Sequence, residues 1–373
     1  MKFTKLFALI CAAFAFVACE NTEKVPETSG SLVLKVDSTA VSLGETVTFT
    51  IEQKAEDGAY YDVTSQCVIY DNDTNVIDGH TYTFEATGTY SFFATKGSEN
   101  SNYVYITVLA SMPEVPADPQ PENFGFNHRI LLIDHTGMNC PNCPYMTDNL
   151  LALAESPMHK HYNEITCHAG GYASGDPANS PAATALDQFN SGKFSGYPGL
   201  CINFYGGKID NYASTSYFVT TATQILEPKI KEHADVGIAL AAEGDPESVY
   251  CAVQIKSAAS REYKAVAWLL ENQIYCPNQA GATKDQHRIF NHALRNISGE
   301  YSRNNVAGES VGVIEEGQTF DCAFELPIVS TKWAVENMEV LVIVSARDEH
   351  NRWEVVNTAL CPVGGKTEFE YAE

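Results

Sequence analysis

The 373-residue sequence predicts a multidomain α+β protein: a β-sandwich, a unit of alternating strands and helices, then a second β-sandwich. Three observations predict it. Residues 31–110 and 235–373 alternate apolar and polar positions with period two between turn residues, the pattern of half-buried strands. Residues 124–234 instead alternate short apolar runs with amphipathic stretches, the order of an α/β sheet. Between the first two units, residues 111–123 carry Pro113, Pro116, Pro119 and Pro121, a semi-rigid linker.

Apolar residues make up 45% of the chain, enough for a packed core. The formal net charge is −24. Loss of residues 1–18 would remove Lys2 and Lys5, so 23 basic residues fall to 21 against 47 acidic, a net −26. This excludes a general basic surface for nucleic acid or anionic lipid. No pattern in the sequence asks for a cofactor.

Residues 1–18 read as a targeting segment. Lys2 and Lys5 form its charged start, and residues 6–17 form an apolar stretch too short to span a bilayer. It ends in Phe16-Val17-Ala18-Cys19, which resembles a bacterial lipobox, although an aliphatic residue is more usual where Phe16 stands. The resemblance implies that Cys19 becomes the lipidated N-terminal residue. Acyl chains there would hold the protein at the membrane. Ordinary secretion with cleavage nearby is the alternative. Residues 19–30 are then a polar tether. Of 11 cysteines, Cys11 leaves with the targeting segment and Cys19 carries lipid, so nine remain. An odd number cannot all pair internally.

In the first β unit, Thr46-Val47-Thr48-Phe49-Thr50-Ile51 is a period-two strand, and 81–84, 89–92 and 103–108 follow. Leu43-Gly44-Glu45-Thr46-Val47 and Gly88-Thr89-Tyr90-Ser91-Phe92 resemble the immunoglobulin-like modules of bacterial surface proteins. The resemblance implies a spacer that lifts the next unit. Cys67 has no partner here for an inter-sheet disulfide.

The middle unit contains the chemistry. The apolar run Ile130-Leu131-Leu132-Ile133 reads as a buried strand, and residues 145–155 read as a helix. Between them lies Cys140-Pro141-Asn142-Cys143. A helix N-terminus offers unpaired N–H groups and partial positive charge, which favour a thiolate at Cys140. Cys143 lies one turn on and can close the disulfide. Strands over 164–168 and 200–204 and helices over 184–190 and 215–231 complete the order.

Here the chain resembles thioredoxin-like proteins. Asp134 stands six positions before Cys140, where that family has a buried acid, and Tyr197-Pro198-Gly199-Leu200 matches the segment holding its cis-proline. The resemblance implies that Cys140 is the nucleophile, Cys143 the resolving thiol and Asp134 the proton acceptor or relay for Cys143. Pro198 would offer its flanking backbone to a substrate chain. Asn139 replaces the family's tryptophan, and Pro141-Asn142 replaces its Gly-Pro. The fold would also bring Cys167 and Cys201 near Cys140, as electron relays, metal ligands or small buried hydrophobes.

From residue 235 strands are expected over 236–241, 249–255, 263–275, 319–326, 339–345 and 353–360, with a polar stretch over 280–305. Cys251, Cys276, Cys322 and Cys361 form an even set, read as two disulfides with three connectivities open. His287 and His292 are five apart, a poor spacing for one helical face, so no metal site is assigned.

The whole resembles the Bacteroidetes outer-membrane lipoproteins named after a twenty-eight-kilodalton outer-membrane protein. Ile133-Asp134-His135-Thr136-Gly137, the C-x-x-C, His168-Ala169-Gly170-Gly171, Tyr197-Pro198-Gly199 and Asn291-His292-Ala293-Leu294-Arg295 carry it, over residues 125–365. It implies an exported protein lipid-anchored to the outer membrane, with either face open. Three functions follow. The first is thiol–disulfide exchange with protein substrates through Cys140, Cys143, Asp134 and Pro198. The second is surface binding or adhesion, with a structural C-x-x-C disulfide. The third is Cu(I) binding by the Gly137-Met138-Asn139-Cys140-Pro141-Asn142-Cys143 pattern, with Met138, Met146 and Cys167 as soft ligands.

Overall fold

The computed structural model describes residues 28–72 and 74–372. The targeting segment, Cys19 and most of the tether lie outside the described residues.

Between Thr28 and Leu109 two sheets face each other. In one, Thr46–Ala55 lies antiparallel between Thr28–Val36 and Tyr60–Asp62. In the other, Gly88–Lys96 lies between Val68–Asp71 and Val104–Leu109. Period-two burial turns Val47, Phe49 and Ile51 inward, where they meet Phe92 and Ile106 in one core. The linker that follows is tied down by buried Lys256, whose Nζ reaches Asp118 Oδ2 at 2.8 Å and the Pro121 carbonyl at 2.6 Å.

A nine-stranded sheet then forms the body. It runs from Lys208–Ile209 through Gly199–Ile202, Ile130–Thr136, Tyr162–His168, Ala293–Ile297, Arg261–Glu271 and Met338–Arg347 to Trp353–Pro362. Glu309–Ile314 pairs beside Arg261–Glu271. The strands from residues 130–209 join the rest through a single parallel pairing, Thr166 with Ala293. A second sheet of Thr319–Pro327, Ser248–Ser257, Val236–Gly244 and Lys366–Thr367 packs on it.

This arrangement overturns the expected fold class. Residues 124–234 are not a thioredoxin-like α/β domain standing beside a separate C-terminal sandwich. One sheet runs through both, and the protein is β-rich, with 24 strands and three α-helices among the described residues. The physical reason lies in the strands Arg261–Glu271 and Met338–Arg347, which are buried on both faces along most of their length. Two-sided burial belongs to interior strands. One face, with Ala265, Leu269 and Val342, meets the second sheet. The other, with Val266, Trp268 and Leu341, meets Leu131, Ile133 and Ile165 of the middle strands. Apolar periodicity shows which positions are buried, not which strand lies beside which.

Helices cover the middle strands on both sides. Helix α1, Cys143–Ala154, packs through Met146, Leu150 and Leu153 onto Ile130 and Leu132. Helix α2, Pro181–Asn190, lies on the opposite face, started by Ser180, whose hydroxyl accepts from the Ala183 amide. Helix α3, Thr215–Leu226, joins α1 through Phe218 and Ala222. Among the described residues no helix is long and apolar enough to cross a membrane.

Candidate functional site

Cys140 and Cys143 are joined in a disulfide with a Cα–Cα distance of 5.5 Å. Asn142 is the N-cap of α1, and Cys143 its first helical residue. The loop entering the motif is fixed from the side. Met138 N donates to Asp176 Oδ2 at 2.7 Å, and Asn139 N donates to the Tyr172 carbonyl at 3.0 Å. Gly137 allows this approach, because a Cβ there would stand 2.8 Å from the Tyr172 carbonyl.

Asp134 lies beneath the disulfide on the Ile130–Thr136 strand, 3% exposed. Its Oδ1 has no hydrogen-bond partner among the described residues. Burial, and then the charge of Glu164, push its pKa well above the usual carboxylate range. Strands Ile130–Thr136 and Tyr162–His168 run parallel, with Leu132 beside Glu164, Asp134 beside Thr166 and Thr136 beside His168. Alternation therefore turns Asp134, Thr136, Glu164, Thr166 and His168 to the face under α1. They line a cavity of about 70 Å³ together with Cys143.

His168 donates from Nδ1 to the Asp176 carboxylate at Oδ2, 2.9 Å away. Its Nε2 has no partner among the described residues. Burial raises the pKa of Asp176, but the hydrogen bond and charge of His168 and the amides of Ala178 and Met138 outweigh it and hold that carboxyl low.

The Tyr197–Pro198 bond is cis. Gly199 pairs with His135, so one step further brings Pro198 opposite Thr136, at the strand end that leads to Cys140. The structure thus gathers Cys140, Cys143, Asp134 and Pro198 at one end of the central strand.

Cys167 and Cys201 are placed elsewhere. They pair beside His135 and Ile133, positions that face α2 rather than α1, and both are buried in that core. Burial raises both thiols, Cys201 to about 11. They are the small buried hydrophobes of the original alternatives. The soft ligands do not converge either. Met146 is a core residue of α1, and among the described residues no three His, Cys, Asp or Glu side chains are arranged to hold a metal.

The two disulfides expected among Cys251, Cys276, Cys322 and Cys361 are not formed; all four are free. Cys251 pairs beside Phe324 and Cys322 beside Val253, so these two are diagonal neighbours. Diagonal Cβ atoms sit roughly 7 Å apart, against about 4 Å in a disulfide. Cys361 lies on the facing sheet, and Cys276 follows the short strand Ile274–Tyr275.

Sequence reasoning missed what covers the motif. Cys140 is 1% exposed and Cys143 2%. The loop of residues 276–291 lies over them. Gln279 Nε2 donates to the Cys140 carbonyl at 3.1 Å, and Ala280 N to the Met138 carbonyl at 2.8 Å. Gly281, at φ +71°, comes so close that a Cβ would overlap the Pro141 carbonyl. On α1, Asp148 accepts from Lys284 Nζ at 2.8 Å and Gln286 Nε2 at 2.9 Å, and it faces His287 Nε2 at 3.0 Å. The only sequence signal was a polar run with a glycine inside it.

Fold and site together define a β-rich protein with one disulfide held at a helix start above a buried carboxyl. The profile of the family described as Outer membrane protein Omp28 matches residues 188–362, which supports that family and an outer-membrane association. No curated protein matches the chain. Among solved structures the chain is similar to HBP35 of Porphyromonas gingivalis, at 13% identity and a TM-score of 0.52, over 65% of this chain and 77% of that one. That likeness shows a shared β-rich fold. The Yersinia pseudotuberculosis adhesin InvE matches at 9% identity over 89% of this chain and 58% of that one. A DUF4785 family protein of Legionella pneumophila matches at 8% identity over 89% and 56%. Their TM-scores of 0.17 and 0.18 carry no argument about fold.

Proposed function

We propose that this is an exported envelope protein that exchanges disulfides with other exported proteins through Cys140 and Cys143. Export through residues 1–18 and lipid attachment at Cys19 belong to the same proposal. One observation carries it: Asp134 is buried with an unpartnered oxygen in a cavity lined by Cys143. Burying a carboxyl without a partner costs several kcal/mol, roughly, and gives the fold nothing in return. A group that must hold and release a proton beside a sulfur accounts for it.

The chemistry balances with a protein dithiol as co-reactant. A substrate thiolate attacks Cys140 Sγ, the Cys140–Cys143 bond breaks, and Cys143 leaves with the electron pair. Asp134, neutral through burial, donates a proton to that thiolate. The second substrate thiolate attacks the substrate sulfur of the mixed disulfide and releases Cys140. Two electrons pass from the dithiol, which is oxidised to a disulfide as Cys140 and Cys143 become thiols, and the reverse sequence reduces a substrate disulfide. Pro198 flanks the position where the substrate chain would lie.

A second reading is favoured by the burial of both cysteines to 1–2% exposure. In it the disulfide is structural, and the β-rich body binds a surface ligand. A redox titration of the chain lacking residues 1–19, across glutathione ratios with alkylation and peptide mass spectrometry, separates the two. Exchange expects Cys140 and Cys143 to open together at a moderate potential. A pair that stays closed until strongly reducing conditions establishes the structural reading.

A further inference from the structure

A covered disulfide needs a route for protons as well as for thiols. The α1 face of the sheet holds more acid than Asp134 alone. Glu164, on the adjoining strand, is half-buried, but its Oε2 is enclosed and also lacks a partner among the described residues. Both carboxyls line the small cavity beside Cys143. Polar side chains line that cavity on its sheet side, and it has room for at least two waters, roughly. Behind Glu164, His292 Nδ1 bonds Glu339 Oε1. The His292 side chain is 30% exposed and that of Glu339 10%, so this pair reaches the surface. His292 is brought there by the backbone, since its carbonyl accepts from the Thr166 amide at 2.8 Å.

We infer that Glu164, backed by the His292–Glu339 pair, carries the proton between solvent and Asp134 when the Cys140–Cys143 bond opens and closes. The inference rests on the exchange function proposed above. When a dithiol opens the bond, Cys143 leaves as a thiolate and takes the Asp134 proton. Asp134 then regains one from Glu164, and Glu164 regains one from solvent through His292. Two carboxyls that line one small cavity disfavour each other's ionisation, so a proton is held in the cavity ready to move. Burial raises Glu164, the charge of His292 opposes that, and Glu339 adds to it. For His292, burial lowers the pKa, and the Glu339 hydrogen bond and charge with that of Glu164 overcome it, so the imidazole titrates above its ordinary range. The other ionisable groups facing this space are Tyr162, held neutral by burial and Glu164, His168 with Asp176, and His287 with Asp148. Of these, His168 is the one with an unpartnered ring nitrogen on the cavity among the described residues.

The test is the rate of disulfide opening by dithiothreitol from pH 5 to 9 in the chain lacking residues 1–19, read by acid quench and alkylation. A Gln279→Ala background keeps loop opening from limiting the rate. Glu164→Gln should slow opening about tenfold, remove an inflection from the pH profile and enlarge the solvent isotope effect. Glu339→Gln, at the solvent end, should shift the same inflection without emptying the cavity, and it decides the matter if Glu164→Gln melts early by circular dichroism. A Glu164→Gln protein that opens at the parent rate and profile, while Asp134→Asn slows it, overturns the route and leaves exchange standing. A parent protein that does not open, or an Asp134→Asn protein as fast as the parent, removes the exchange function and the route with it.

Discussion

Gln279 donates from Nε2 to the carbonyl of Cys140 at 3.1 Å, joining residues 139 apart in the sequence. The loop that carries Gln279 is thus fastened to the motif at the start of α1. If that loop covers the sulfurs, access to them depends on how readily residues 276–291 lift.

Asp148 is the outer anchor of that loop, with Lys284, Gln286 and His287 all on one carboxylate. Asp148→Ala removes these contacts, which together contribute on the order of 1.4 kcal/mol net, because Lys284 is solvent-exposed and its ion pair is screened. The loop should open about tenfold more often and the disulfide should be reduced faster by the same factor. Reduction rates by dithiothreitol, with amide exchange over residues 278–291, measure it. An unchanged rate would mean that the loop does not govern access.

Acid should loosen the body through His128. Its Nδ1 accepts from the Lys231 amide at 2.9 Å, so the ring must be neutral there. Burial, and then Lys231, lower its pKa to about 4. Unfolded histidine titrates near 6.5, roughly, so the unfolded chain binds more protons between the two values. The contribution is whole above about pH 6.5 and is lost as pH falls toward 4, on the order of 3 kcal/mol. Thermal melts at pH 7 and 4.5 should differ less in His128→Gln, whose carbonyl can still accept. An equal difference counts against this origin.

Arg295 and Glu271 form a buried pair. Arg295 Nε meets Glu271 Oε2 at 2.6 Å, Arg295 Nη1 meets the Pro177 carbonyl, and Glu271 Oε1 accepts the Ala334 amide. Their side chains are 3% and 5% exposed. Removing one partner strands the other charge, so Arg295→Ala or Glu271→Ala should lose about 3–5 kcal/mol in urea unfolding. The double change to apolar residues should lose less than the sum of the two.

Native alkylation should sort the free thiols by cover. Cys167, Cys201, Cys251, Cys276 and Cys361 are buried, whereas Cys67 and Cys322 are half-buried. Burial raises every one of them. Iodoacetamide at pH 8 should therefore label Cys67 and Cys322 slowly and the other five only after denaturation. Fast native labelling of Cys167 would contradict its place under α2.

The local elements were legible because they depend on neighbours in sequence. The apolar run at Ile130 to Ile133 and the cysteine spacing announce themselves, and the helix read over 184–190 is present, beginning earlier at Pro181. Asp134 and Pro198 were found through the resemblance to thioredoxin-like proteins. What could not be read depends on distant partners. Ala293–Ile297 is wholly buried yet contains Arg295 and Asn296, and only the pairing with Glu271 makes that burial tolerable. Without it the segment reads as a polar loop, and the strand that joins the two halves of the sheet disappears. Glu164, Gln279 and Asp148 were missed for the same reason, since each matters through a residue far along the chain.

The Thr166–Ala293 pairing has a consequence for how such a chain can be inherited and engineered. A fragment ending near residue 234 would leave Tyr162–His168 as a raw edge and strip Trp268 and Leu341 from Leu131 and Ile133. Open edges and bared apolar faces invite self-association. The cysteine-bearing segment is thus not a cassette. It cannot be shuffled into another gene, or expressed for assay, without the half of the chain that completes its sheet.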